Sequence, residues 1–99
     1  MNADDIRASL GSSNPPENLN VLLQALWFDA KGDWESAHNI AQDVHTAEGS
    51  WVHAYLHRKE GDIANASYWY HRARKPVSAV SLSQEWKDIA EALIKHFNH

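Results

Sequence analysis

The chain predicts an all-α fold, two antiparallel helix hairpins plus a C-terminal closing helix, and three observations carry that expectation. A motif occurs twice: Ala25 to Ala37 aligns with Ala54 to Ala66, each copy reading Ala, six residues, Gly-Asp, three residues, Ala. Recurrence at a fixed spacing marks a supersecondary unit used more than once. Apolar residues recur at intervals of three and four, and no useful length alternates with period two, so strands are not expected. Turn and capping residues also stand where such helices would begin and end.

In chain order, residues 4–10 read as one short turn or helix. Asn14-Pro15-Pro16-Glu17 reads as a start signal, with Asn as N-cap and Pro in the first turn. The helix expected from there runs to about Lys31 and stops at Gly32. Leu19, Val21, Leu22, Leu23, Ala25, Leu26, Trp27 and Phe28 make it apolar on nearly every face, so it must be covered on more than one side. Asp33 caps a second helix to about Val44, with Trp34, Ala37, Ile40, Ala41 and Val44 inward. A third runs from Thr46 or Ser50 to Glu60 and presents Trp51, Ala54 and Tyr55. Gly61 ends it, and Asp62 caps a fourth that turns Ile63, Ala66, Trp69, Tyr70 and Ala73 inward and stops before Pro76. Ser81 with Gln84 forms a capping-box pattern for the last helix, whose stripe is Trp86, Ile89, Ala90, Leu93, Ile94 and Phe97.

Ninety-nine residues make one domain. Five Trp, three Tyr and two Phe supply large pieces for its core. The absence of Cys excludes disulfides, thiolate metal sites and cysteine nucleophiles. Met1 to Asp5 lacks the basic and apolar regions of a secretory signal, and no apolar stretch is long enough to span a bilayer. A soluble cytoplasmic protein with no membrane partner is therefore expected. The net charge of −4 argues against nucleic-acid binding. It also hides an asymmetry, since residues 1–52 are acidic and 53–75 basic. Such a division suits two differently solvated faces, or a head-to-tail pairing of copies.

Helix, Gly-Asp turn and helix, with small residues flanking the turn, resembles the tetratricopeptide repeat. Ala54, Gly61, Ala66, Tyr70, Ala73 and Pro76 match that pattern in the second unit. Ala25, Gly32 and Ala37 match it in the first, where Ala41 and Val44 replace the expected Tyr and Ala. Trp86, Ile89, Ala90 and Leu93 resemble a third opening helix without its partner. The resemblance implies a right-handed α-α superhelix: residues 1–14 as an N-terminal segment, 15–45 and 46–76 as repeats, and 81–97 as the closing helix. The 29-residue step from Gly32 to Gly61 is shorter than the family's usual repeat. Trp51 to Ala73 separately resembles a family of short, uncharacterised bacterial proteins.

The tetratricopeptide resemblance implies an interaction module whose partner is a protein, a peptide or a second copy of the chain. Its groove would be lined by Leu22, Leu26 and Asp29 in the first unit and by Trp51, Tyr55 and Arg58 in the second, unless the amino-terminal segment or the last helix folds over it. The alternative is a small-ligand or metal-binding protein, with an enzyme as one form of it, centred on His53, His57, Arg58, Glu60, Tyr68, Trp69 and Arg72. His53 and His57 share one helical face at a spacing that lets two imidazoles hold one ion, and Glu60 is within a turn as a third ligand. Against this, the repeat alignment places both His where side chains pack toward the next helix, bonded to a neighbour such as Asn65 or Tyr68. No metal and no cofactor are therefore expected, and His53, His57 and Glu60 remain the alternative set. Arg58, Tyr68, Trp69, His71, Arg72, Arg74 and Lys75 interleave cations and rings as an anion site would. The plainer expectation is a structural cluster in which Arg58 bonds Glu60 or Asp62. No catalytic residue is expected, because no nucleophile elbow, phosphate loop or spaced carboxylate pair is present.

Overall fold

The two copies of the doubled motif fold into the same local structure. In the computed structural model, which describes residues 1–97, the order is α1 (Ala3–Ala8), a 3-10 turn (Ser9–Gly11), α2 (Val21–Ala30), α3 (Trp34–Gln42), α4 (Ala47–Lys59), α5 (Ile63–Arg72) and α6 (Leu82–Phe97). No strand occurs among the described residues. After α2, Gly32 takes φ +91° and Asp33 caps α3 by accepting from Ser36 N at 3.1 Å. After α4, Gly61 takes φ +90° and Asp62 caps α5 by accepting from Asn65 N at 3.2 Å. A residue with a Cβ is strained at such angles, so glycine is what lets each chain reverse. Ala25 and Ala54, the small residues preceding each turn, are both fully buried.

Three expectations about the elements need correction. The helix expected from Pro15 begins at Val21, capped by Asn20, whose Oδ1 accepts from Leu22 N at 2.8 Å. Pro16 disfavours a helical conformation at Pro15, and Asn18 sits at φ +65°, so residues 12–20 stay irregular. Ile63 is 52% exposed, whereas Ala66, Tyr70 and Ala73 are buried, so the inward face of α5 starts one turn later than its periodicity predicts. The capping box of α6 is half made: Ser81 Oγ accepts from Gln84 N at 3.0 Å, but the Gln84 side chain donates to Asp88. The side chain of Phe97, expected on the last stripe, lies outside what is described.

Helices α2 and α3 pack as one pair and α4 and α5 as another, with α3 against α4. A small cluster of Ala54, Ala66 and Tyr70 joins α4 to α5, edged by Trp51 and Trp69. The main core joins α1, α2, α3, α4 and α6. Helix α6 lies across α2 and α4. It buries Trp86, Ile89 and Leu93, and Trp86 Nε1 donates to Leu26 O at 3.0 Å. Arg7 of α1 holds it from outside, bonding Ser83 O and stacking over the Trp86 ring at 4.7 Å. The face named as a peptide groove is thereby covered: Leu22, Leu26, Asp29 and Tyr55 are buried, and Trp51 and Arg58 bond to α6. No described helix is long and apolar enough to cross a membrane.

Candidate functional site

The last turn of α4, His57-Arg58-Lys59-Glu60, sends consecutive side chains in different directions, and two of them are structural. Arg58 Nη1 bonds Glu85 Oε1 at 2.8 Å, and its Nη2 donates to Val80 O. This corrects the expected pairing with Glu60 or Asp62. Glu85 is only 2% exposed and also accepts from Tyr70 OH at 2.6 Å and Trp51 Nε1 at 3.2 Å. A buried carboxylate survives in the core because both of its oxygens are within reach of donors, one of them a charged guanidinium. Lys59 Nζ bonds the buried Asp29 at 2.9 Å, and Tyr55 OH donates to the same carboxylate at 2.8 Å. Burial, followed by the neighbouring carboxylates, holds both Tyr hydroxyls well above the usual phenol range, so they act as donors. Tyr55, Arg58, Tyr70 and Trp51 are thus consumed in fixing α2, α4, α5 and α6 to one another.

His57 and His53 face the other way and meet a residue the sequence reading did not single out. His38, on α3, brings its Nε2 to 3.0 Å from His53 Nε2. A ring nitrogen from each of His38, His53 and His57 lies within 4.8 Å of the other two. His53 and His57 stack along α4 at 4.8 Å between centroids, and His38 meets them edge-on at 4.7 and 5.1 Å. Two indoles wall the cluster: Trp34 stacks on His38 at 4.8 Å, and Trp69 on His53 at 4.0 Å. Trp34 is itself fixed by its Nε1 bond to Leu56 O. His53 is therefore bonded to His38, not to Asn65 or Tyr68 as expected.

The surroundings of His53 and His38 favour their neutral forms. Burial is the first cause that lowers His53 to about 4, with the proximity of His38 and His57 adding to it. Burial also lowers His38, assisted by His57 and opposed by Glu60. A neutral imidazole keeps the lone pair that a metal needs. The third member of the convergent set is His38, and Glu60 stands behind His57, its Oε1 2.5 Å from His57 Nδ1. His57, Glu60 and Asp62 form a second, more exposed group of potential ligands.

The remaining predicted residues lie beside this cluster. Arg72 stands over the Trp69 and Tyr68 rings at 5.3 and 5.8 Å and donates to Tyr68 OH at 3.1 Å. A cleft of about 270 Å³ opens there, lined by His53, Trp69, Arg72, His45, Gln42 and Ser50 among others. Arg58 belongs to the opposite face and Lys75 sits over Trp51 at 4.0 Å, so the run of cations and rings is not one surface. His38 could have been found: it is four residues after Trp34, on the edge of the stripe that α3 turns inward. Glu85 could also have been found, because it falls on the buried stripe with Leu82 and Ile89. Against known proteins, the chain matches no family model, no curated protein and no solved structure.

Proposed function

We propose that this chain is a metal-binding helical domain in which His38, His53 and His57 hold one divalent d-block cation. The observation that supports it is the convergence of three ring nitrogens, from two helices of different pairs, inside an aromatic enclosure. Imidazole ligands suit zinc, copper and nickel, and disfavour the oxygen-seeking magnesium and calcium. Around a tetrahedral zinc, ligand nitrogens at about 2.0–2.1 Å from the metal stand about 3.4 Å apart. The His38–His53 separation of 3.0 Å is already close, and the His57 nitrogen, within 4.8 Å of both, would move inward on binding. Three protein ligands leave a fourth position for water or another donor.

The architecture proposed for this domain is tetratricopeptide-like, with α2/α3 and α4/α5 as its two repeats and α6 across the face where family members take peptides. Two Gly turns with Asp caps at equivalent positions support that reading. The interaction-module reading needs Leu22, Leu26, Trp51, Tyr55 and Arg58 to be open, whereas Leu22, Leu26 and Tyr55 are buried and Trp51 and Arg58 bond Glu85 of α6. Metal binding is therefore the function favoured. Thermal unfolding across a panel of zinc, nickel, copper, magnesium and calcium tests it. Zinc at a hundred times its Kd should stabilise by about 2.7 kcal/mol, raising the melting temperature by about 11–22 °C. Magnesium and calcium should do nothing. A melting temperature indifferent to every d-block ion would refute the proposal.

A further inference from the structure

We infer that Glu60 is the positioning residue of the three-His site: its carboxylate holds Nδ1–H of His57 and so presents the Nε2 lone pair of that ring to the ion. This rests on the metal reading above. A neutral imidazole carries one N–H, and whichever nitrogen gives it to an acceptor leaves the other as the ligand. His57 Nδ1 lies 2.5 Å from Glu60 Oε1, so its ligand nitrogen is Nε2. A carboxylate behind a ligating imidazole fixes the ring's orientation and strengthens its bond to a cation.

The local sequence explains why Glu60 can do this. It is the C-cap of α4, three residues after His57, which puts both side chains on one face of the last turn. Gly61 turns the chain away immediately afterwards, and Asp62 is occupied in capping α5 through Asn65 N. Glu60 is exposed, unlike His57, so the carboxylate stays hydrated on its outer side while its inner oxygen faces the ring. Its exposure also means that removing it leaves no cavity.

Two measurements test the assignment. The first is nitrogen-15 NMR of the imidazoles at pH 8 on the metal-free chain, which reads tautomers directly. Wild type and Glu60→Gln should show His57 protonated at Nδ1, and Glu60→Ala should show a mixture. The second is a zinc titration, in which Glu60→Ala should bind about 10–100-fold more weakly and Glu60→Gln should fall between it and wild type. A role limited to holding the end of α4 would lower the melting temperature of the metal-free chain and leave tautomer and Kd unchanged; that result overturns the inference. So does a wild-type His57 protonated at Nε2. A stoichiometry of two ions, with Glu60→Ala losing only one, would make Glu60 a ligand with His57 and Asp62, which also overturns it. Failure of wild type to take up zinc defeats the metal reading itself and is distinguished by the titration alone.

Discussion

Replacing Glu85 by Ala should be among the most damaging single changes in this protein. Its carboxylate binds Arg58 from α4, Tyr70 from α5 and Trp51 from α4, and it carries α6 against both hairpin helices. Removal leaves a largely buried guanidinium without its counter-charge, beside a buried hydroxyl and an indole N–H. Breaking a buried pair from one side costs about 3–5 kcal/mol, because the stranded charge cannot be rehydrated cheaply. A chain of this length has roughly 5–15 kcal/mol in total, so the loss is a large fraction of stability. At about 4–8 °C per kcal/mol the melting temperature should fall by at least about 12 °C. Urea unfolding followed by Trp fluorescence and far-UV circular dichroism measures this, read as a midpoint shift at constant slope. Arg58→Met combined with Glu85→Met removes both charges and should recover part of the loss, which a double-mutant cycle isolates. A cost below about 1 kcal/mol for Glu85→Ala, or strict additivity in the cycle, would refute the claim that this carboxylate fastens α6.

Other outcomes are expected from the same structure. Metal-free stability should fall as pH drops from about 6.5 towards about 4, because His53 is neutral in the fold while the unfolded chain takes up the proton. That contribution is fully present above about 6.5, amounts to at most about 3 kcal/mol, and should shrink in His53→Asn; identical pH profiles of the two proteins would contradict it. Ala54→Leu should overpack the α4–α5 crossing and destabilise by about 1–3 kcal/mol in urea unfolding, since Ala54 is fully buried against Ala66 and Tyr70. Full tolerance of that change would show that the helices cross elsewhere. Gly61→Ala should cost about 1–2 kcal/mol by the same assay, because alanine is strained at φ +90°, and an unchanged midpoint would contradict the turn described.

Much of this fold is legible in the sequence because local physics decides it. The Gly-Asp turns need only a residue free to adopt positive φ and a side chain able to cap, and both are written into the motif. The amino-terminal boundary was harder, since two Asn residues compete as caps and the Pro-Pro pair favours extended chain over helix. The candidate site was half legible. His53 and His57 announce themselves by their four-residue spacing, which one helix determines alone. The stripe of α3 places His38 at its inward edge, but that His38 meets His53 and His57 depends on how α3 packs against α4, a tertiary fact that spacing within one helix cannot encode. The same limit explains Arg58: the nearest acids in sequence, Glu60 and Asp62, were displaced by Glu85, 27 residues away. Desolvation makes the distant buried carboxylate the stronger partner.

The difference between the two motif copies also gains a physical meaning. In the second copy the alignment puts His53 and His57 where the first has Gln24 and Phe28. Those substitutions turn an ordinary hairpin crossing into a polar, aromatic-walled cluster that the first hairpin completes from outside with His38. A central claim of that kind is tested most directly by calorimetric titration of zinc into the metal-free wild type and into His38→Ala, His53→Ala and His57→Ala. One ion per chain should bind wild type with a Kd of about micromolar or tighter, a binding free energy of at least about 8 kcal/mol. Each variant should lose at least about tenfold in affinity, equivalent to about 1.4 kcal/mol. Binding that survives the loss of His38 undiminished, or no heat from wild type at all, would contradict the three-His site.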